Sequence, residues 1–245
     1  MRKKYAIFDV DGTLADSMRY WDHLAEDYLG GLGIHASRED LAPIETMTMS
    51  ESSAYFIHRY SLAKTPGEVM EEMFALIRKH YEEDIPLKEG AAAYLRNLRE
   101  RGVRMCIATA NDTALSRACF RRNGILEYFD FFVSCEEIGR GKREPEIYDF
   151  CREKMADEAG TSLLPSDVAV FEDAAYCLET ASDAGYYTVA LFERSYERDW
   201  DRIRGIADES YVSWKDVMQQ AGRIPCDKAE GRGVIVCQKI QRDKL

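Results

Sequence analysis

The segment Tyr5-Ala6-Ile7-Phe8-Asp9-Val10-Asp11-Gly12-Thr13 decides the fold class. Its first four residues are apolar and predict a short strand buried on both faces, and the acidic residues after them predict a polar turn. Four later segments have the same apolar character and predict further strands, at residues 103–108, 129–134, 168–171 and 187–192. Helical patterns separate these strands, at residues 91–101, 114–123, 146–158 and 174–184. This alternation predicts an α/β fold with a doubly wound, mostly parallel sheet covered by helices on both faces.

A long helical segment interrupts this alternation after the first strand. Residues 17–87 carry helical patterning throughout, with breaks near Gly30-Gly31, Pro43 and Pro66-Gly67. We therefore predict a core domain formed by residues 1–16 and 88–221 and an inserted all-α cap domain at residues 17–87. Residues 222–245 are predicted to be a C-terminal extension, with one edge strand near residues 234–237.

The charge of the chain limits the kinds of partner it can bind. The sequence has 245 residues, 33 basic and 44 acidic, and a formal net charge of −11. Six basic and thirteen acidic residues fall in the cap segment, so most of the acidity lies there. A long-range negative field repels polyanions, which argues against nucleic acid and anionic membranes as partners. Any phosphate-bearing ligand must therefore meet a local positive site.

The cysteines and the hydropathy pattern indicate a cellular location. Seven cysteines are scattered without a CxxC pair or a nearby histidine cluster, which is typical of a reducing compartment and argues against a zinc site. The basic start is not followed by a signal-peptide apolar region, and no apolar run is long enough to cross a bilayer. We predict a cytoplasmic protein that is a monomer or a homodimer.

Polar side chains follow the predicted strands, at the edge where doubly wound sheets bind ligands. Seven are predicted to meet there: Asp9, Asp11, Thr109, Asn111, Lys142, Glu172 and Asp173. Four of them are carboxylates, and so many like charges at one edge are costly unless a cation joins them. Oxygen ligands of this kind favour Mg²⁺, which keeps some coordination positions for water and phosphate oxygens.

Four motifs at this edge resemble those of the haloacid dehalogenase superfamily. They lie at residues 9–17, 109–111, 142–148 and 172–173, and the resemblance extends over about residues 4–211. Their order is similar to that of members with a helical cap after the first motif, the group that includes phosphoglycolate-type phosphatases and β-phosphoglucomutase. The resemblance implies a Rossmann-like core and a Mg²⁺-dependent phosphatase acting on a small phosphorylated metabolite, such as a sugar phosphate or a glycolate-like ester.

The resemblance also implies the catalytic roles. Asp9 would be the nucleophile that forms an aspartyl-phosphate, and Asp11 the general acid that then activates water as a base. Thr109, the main chain around Ala110, and Lys142 would hold the phosphoryl oxygens.

The metal ligands implied by the resemblance are Asp9, the main-chain carbonyl of Asp11, and Asp173. Glu172 would join this group or orient bound water and Lys142. Asn111 has two open interpretations, because it could contact the substrate or cap the helix that follows it.

Other activities are weighed within the same resemblance. Asp11 argues against dehalogenation, because a halide leaving group needs no proton. A hexose phosphomutase of the β-phosphoglucomutase type stays open, although Trp21 stands where those mutases carry a hinge histidine. A non-catalytic phosphoacceptor or regulatory domain is a further alternative, because response receivers also place acidic residues, a Thr or Ser, and a Lys at a sheet edge.

Overall fold

The computed structural model describes residues 3–47 and 49–221. Within them, six strands form a single parallel sheet: β1 (Tyr5–Phe8), β2 (Arg104–Thr109), β3 (Phe131–Ser134), β4 (Val168–Glu172), β5 (Tyr187–Leu191) and β6 (Glu209–Tyr211). The strand order is β3-β2-β1-β4-β5-β6, so the first strand lies at the centre of the sheet. Phe8 of β1 is level with Ile107 of β2 and with Phe171 of β4. This topology confirms the predicted doubly wound α/β fold.

The described residues also form eleven α-helices. They are α1 (Met18–Gly31), α2 (Arg38–Leu41), α3 (Met49–Tyr60), α4 (Pro66–Glu83), α5 (Ala91–Glu100), α6 (Thr113–Arg122), α7 (Cys135–Ile138), α8 (Glu146–Ala159), α9 (Ala175–Asp183), α10 (Trp200–Ile206) and α11 (Trp214–Ala221). None of these helices combines the length and the apolar character that a membrane-spanning helix requires.

One predicted strand starts later than the pattern indicated. Strand β3 begins at Phe131 and not at Phe129, because Leu126–Tyr128 forms a 3₁₀ turn ahead of it. Phe129 packs its ring against Phe8 and Phe120, at centroid distances of 6.1 and 5.4 Å. Its apolar character therefore reflects core packing after a turn and not membership of the strand.

Helices α1 to α4 occupy the predicted insertion between β1 and β2. The two chain segments that connect them to the sheet pair with each other: the amide of Asp16 donates to the Pro86 carbonyl at 2.9 Å, and that of Lys88 to the Leu14 carbonyl at 2.8 Å. The predicted boundaries of the cap, at residues 16/17 and 87/88, fall at this pairing. The division into two domains stays a prediction. The predicted extension at 222–245 lies outside the described residues.

Aromatic packing holds the turn after β1 against the sheet. The rings of Phe8 and Phe171 are stacked, with centroids 4.4 Å apart. Trp214 packs on Phe171 and donates its indole N–H to the carbonyl of Thr13 at 3.0 Å. All three aromatic side chains are buried. The turn that carries the acidic residues is therefore fixed to the hydrophobic core of the sheet.

Candidate active site

The turn after β1 needs a glycine at position 12. Gly12 has a φ of +86°, in the left-handed region that L-residues with a side chain rarely adopt. A Cβ at this position would lie 2.0 Å from Oδ2 of Asp173. The glycine therefore lets the turn bend back and lets the Asp173 carboxylate approach its main chain.

Lys142 joins two carboxylates at the end of the sheet. Its ammonium donates to Oδ1 of Asp9 at 2.5 Å and to Oε1 of Glu172 at 2.8 Å, and Tyr148 donates its hydroxyl to the same Glu172 oxygen at 2.8 Å. All four residues are buried. Burial alone would lower the pKa of Lys142, but the two carboxylates raise it well above its usual value, so the ammonium stays charged.

The carboxylates next to Lys142 are suited to a cation. Asp9, Glu172 and Asp173 can each direct one oxygen into a group whose members all lie within 4.8 Å of one another. Oδ2 of Asp9 and Oδ2 of Asp173 are buried without a hydrogen-bond partner among the described residues. Burial, followed by the charge of Asp9, raises the pKa of Asp173. Because unpaired buried carboxylate oxygens are costly, this arrangement fits a divalent metal with oxygen ligands.

The Asp11 carboxylate points to a different set of partners. Its Oδ1 accepts hydrogen bonds from the hydroxyls of Ser17, at 2.6 Å, and Tyr81, and its Oδ2 accepts one from the amide of Asn111 at 2.7 Å. Burial raises the pKa of Asp11, and the nearby charge of Asp9 raises it further. The side chain is therefore separate from the three grouped carboxylates, and a metal-ligand role for the Asp11 main-chain carbonyl stays a prediction.

The second motif lies at the end of β2. Thr109 is buried, and its hydroxyl accepts the main-chain N–H of Asn111 at 3.1 Å, while Ala110 is exposed. Asp112 caps α6 by accepting the N–H of Ala114 at 2.8 Å. The interpretation of Asn111 as that cap is therefore wrong, and its side chain instead contacts Asp11. Roles of Thr109, Ala110 and Asn111 in binding a phosphate stay predictions.

Two tyrosines belong to this site although the sequence assigned them no role. Tyr81 comes from α4, where no motif marks it, and Trp21 of α1 donates its indole N–H to the Tyr81 hydroxyl at 3.0 Å. Tyr148 lies within the third motif, in the first turn of α8, and its hydroxyl supports Glu172. Position in a motif could have drawn attention to Tyr148, whereas Tyr81 is recognised only from its contact with Asp11.

Comparison with known proteins places this geometry in a family. The family model described as haloacid dehalogenase-like hydrolase matches residues 3–185. Hexitol phosphatase A of Escherichia coli (strain K12) is 28% identical over 78% of this chain and 84% of its own length. Phosphoglycolate phosphatase of Neisseria gonorrhoeae is 24% identical over 83% of this chain and 90% of its own.

A solved structure has the same fold. A candidate β-phosphoglucomutase from Thermotoga maritima superposes with a TM-score of 0.76 at 18% identity, covering 91% of this chain and 100% of the other. The family match extends from before β1 to the end of α9 and so includes every strand end that carries a site residue. The chain belongs to the haloacid dehalogenase-like hydrolase family.

Proposed function

We propose that this protein is a Mg²⁺-dependent phosphatase that hydrolyses a small phosphomonoester through an aspartyl-phosphate. The observation that carries the proposal is the hydrogen bonding of the Asp9 carboxylate. Lys142 donates to one of its oxygens, and the other oxygen is buried without a hydrogen-bond partner among the described residues. A carboxylate that an ammonium fixes through one oxygen, with its other oxygen free of hydrogen bonds, is suited to attack phosphorus with one oxygen while the other contacts a metal. The similarity to hexitol phosphatase A and phosphoglycolate phosphatase supports the same reaction class.

The side chains of this chain can perform both halves of the reaction. In the first half, one carboxylate oxygen of Asp9 forms a bond to phosphorus, the bond from phosphorus to the ester oxygen breaks, and Asp11 gives its proton to that oxygen. In the second half, Asp11 takes a proton from water, whose oxygen attacks phosphorus and releases Asp9. Lys142, Thr109 and the main chain at Ala110 would hold the phosphoryl oxygens as charge builds on them.

The metal would be held by Asp9 and Asp173, with Glu172 or the Asp11 main-chain carbonyl completing the protein ligands. When bound there, Mg²⁺ would neutralise the repulsion between the nucleophilic carboxylate and the phosphate. Hydrogen bonds from Lys142 and from Tyr148 of α8 hold the Glu172 carboxylate beside Asp9 and Asp173.

The proposed substrate is a small phosphorylated metabolite, either a sugar phosphate or a glycolate-like ester. A location in the cytoplasm is part of the proposal, because the five cysteines among the described residues are free thiols.

Phosphate release from an aryl phosphate tests the proposal. We expect turnover in Mg²⁺, its loss with EDTA, and a decrease of at least about 1,000-fold in Asp9→Asn, because the nucleophile is removed. Asp27→Asn is the matched control, because it makes the same change at an exposed position of α1 and should keep full activity. Turnover that is absent, or that EDTA leaves unchanged, would contradict the proposal. Isomerisation of a hexose 1-phosphate without net phosphate release would instead establish a mutase.

A further inference from the structure

A cavity of about 630 Å³ lies between α4 and the start of α6. Helix α4 contributes Glu71, Phe74 and Arg78 to its lining, and Asn111 is among the residues that line the opposite side. The same Asn111 donates its side-chain amide to Asp11 at 2.7 Å. The cavity therefore begins beside the residue that is proposed to protonate the leaving group.

The lining face of α4 leads outward from Asp11. Residues 71, 74 and 78 are spaced by three and four positions, so they lie on one face of the helix, and Tyr81 continues that row. With a rise of about 1.5 Å per residue, Arg78 lies roughly 4.5 Å and Glu71 roughly 15 Å along the axis from Tyr81. Because Tyr81 contacts Asp11, a leaving group extending from Asp11 along this face would reach Arg78 first and Glu71 last.

The charges of the lining distinguish between kinds of leaving group. Arg78 is exposed, and none of the ion pairs within the described ranges 3–47 and 49–221 involves it. Three carboxylates line the same cavity, from Glu71, Asp112 and Glu136. A leaving group with its own negative charge would meet more carboxylates than cations here and would be repelled.

Neutral hydroxyl groups match this lining. A hydroxyl both donates and accepts, so it can donate to a carboxylate and accept from a guanidinium, and Phe74 offers an apolar surface between them. The cavity is also in the size range that encloses a whole small-molecule ligand, and the two carbons of glycolate would leave most of it empty.

We propose that this cavity binds the leaving group and that the substrate is the monophosphate of a neutral polyhydroxy compound, a polyol or a sugar, with Arg78 as a specificity-determining residue. This inference rests on the proposed phosphatase function and narrows it. It excludes phosphoglycolate and sugar bisphosphates as preferred substrates.

The test compares substrates on the full-length protein in Mg²⁺. Wild-type kcat/KM is measured for a hexitol 6-phosphate, phosphoglycolate, a hexose bisphosphate, and n-propyl phosphate, which has an alkyl leaving group without hydroxyls. We expect the hexitol phosphate to exceed each of the others by roughly tenfold or more, because only its hydroxyls pair with the lining without bringing a further negative charge. In Arg78→Ala, kcat/KM for the hexitol phosphate should fall by about 10- to 100-fold, mainly through KM, while that for propyl phosphate changes less than about threefold.

Lys79→Ala is the matched control variant. It removes the neighbouring positive charge of α4 at a residue that does not line the cavity, so both substrates should be hydrolysed as by wild type. The inference is overturned if phosphoglycolate or the bisphosphate is preferred, or if Arg78→Ala lowers turnover of propyl phosphate as much as that of the hexitol phosphate. Hydrolysis of none of these esters would instead overturn the underlying phosphatase proposal, so the two failures are distinguishable.

Discussion

Replacing Gly12 with alanine separates backbone strain from damage to the site. The substitution should strain the main chain, because the residue has a φ of +86°. It should also displace the Asp173 carboxylate, because the new Cβ would lie 2.0 Å from Oδ2 of Asp173. Gly102→Ala is the matched control. Gly102 has a φ of +72°, but no neighbouring atom lies within 4 Å of the place that a Cβ would take, so this variant carries the strain without the contact.

The two variants should differ in a way that the geometry predicts. A left-handed alanine costs roughly 1–2 kcal/mol in either position. In a protein of this size each kcal/mol lowers Tm by about 2–4 °C, so Gly102→Ala should melt about 2–8 °C below wild type. Ordinary carbon contacts are about 3.5 Å, so Asp173 must move by roughly 1.5 Å in Gly12→Ala. A displacement of about 1 Å in a catalytic site can cost roughly 100-fold in rate.

The assay combines melting with turnover. Mg²⁺ at about 100 times its Kd should stabilise wild type and Gly102→Ala by about 2.7 kcal/mol, and this stabilisation should be lost in Gly12→Ala because Asp173 no longer reaches the metal. Turnover of an aryl phosphate should fall by at least about 100-fold in Gly12→Ala and stay near wild type in Gly102→Ala. The reasoning is refuted if Gly12→Ala keeps the Mg²⁺-dependent rise in Tm or turns over within about threefold of the control.

Two further substitutions test contacts of the site. Tyr81→Phe removes a hydrogen-bond donor to Asp11 and should lower kcat for alkyl phosphates by about tenfold. Aryl phosphates should be affected less, because their leaving group needs little protonation, and equal effects on both ester classes would argue against a role of Tyr81 in supporting the acid. Lys142→Met leaves Asp9 and Glu172 buried without their ammonium and should reduce the free energy of unfolding by about 3–5 kcal/mol in EDTA, measured by urea denaturation; an unchanged urea midpoint would contradict the buried ion pairs.

The sequence predicted which residues gather at the carboxyl edge of the sheet, but it did not predict the contact that α4 makes with them. Asp9, Lys142 and Asp173 could be predicted to lie near one another because parallel strands bring their carboxyl ends to the same edge, and short apolar runs identify those strands. The approach of Lys142 to Asp9 and Glu172 in the structure agrees with that expectation.

Tyr81 could not be predicted in the same way. Its contact with Asp11 depends on how α4 packs against the rest of the chain, and helical periodicity indicates which face is apolar without indicating what that face meets. The start of β3 was misplaced for a related reason, because an apolar residue such as Phe129 can serve the core from a turn as well as from a strand.

The pairing between the two connecting segments limits how the inserted helices can move. Ala15 and Leu87 form an antiparallel bridge, and a main-chain hydrogen bond lies on either side of it. Two separate single-chain tethers would let the helices swing and rotate in many directions, whereas a paired ribbon bends readily only across its flat face. We therefore expect any movement of α1 to α4 relative to the sheet to follow one arc, along which the Tyr81 hydroxyl would leave Asp11 and return to the same place. Such a ribbon would return Tyr81 and the proposed acid, Asp11, to the same alignment in each catalytic cycle.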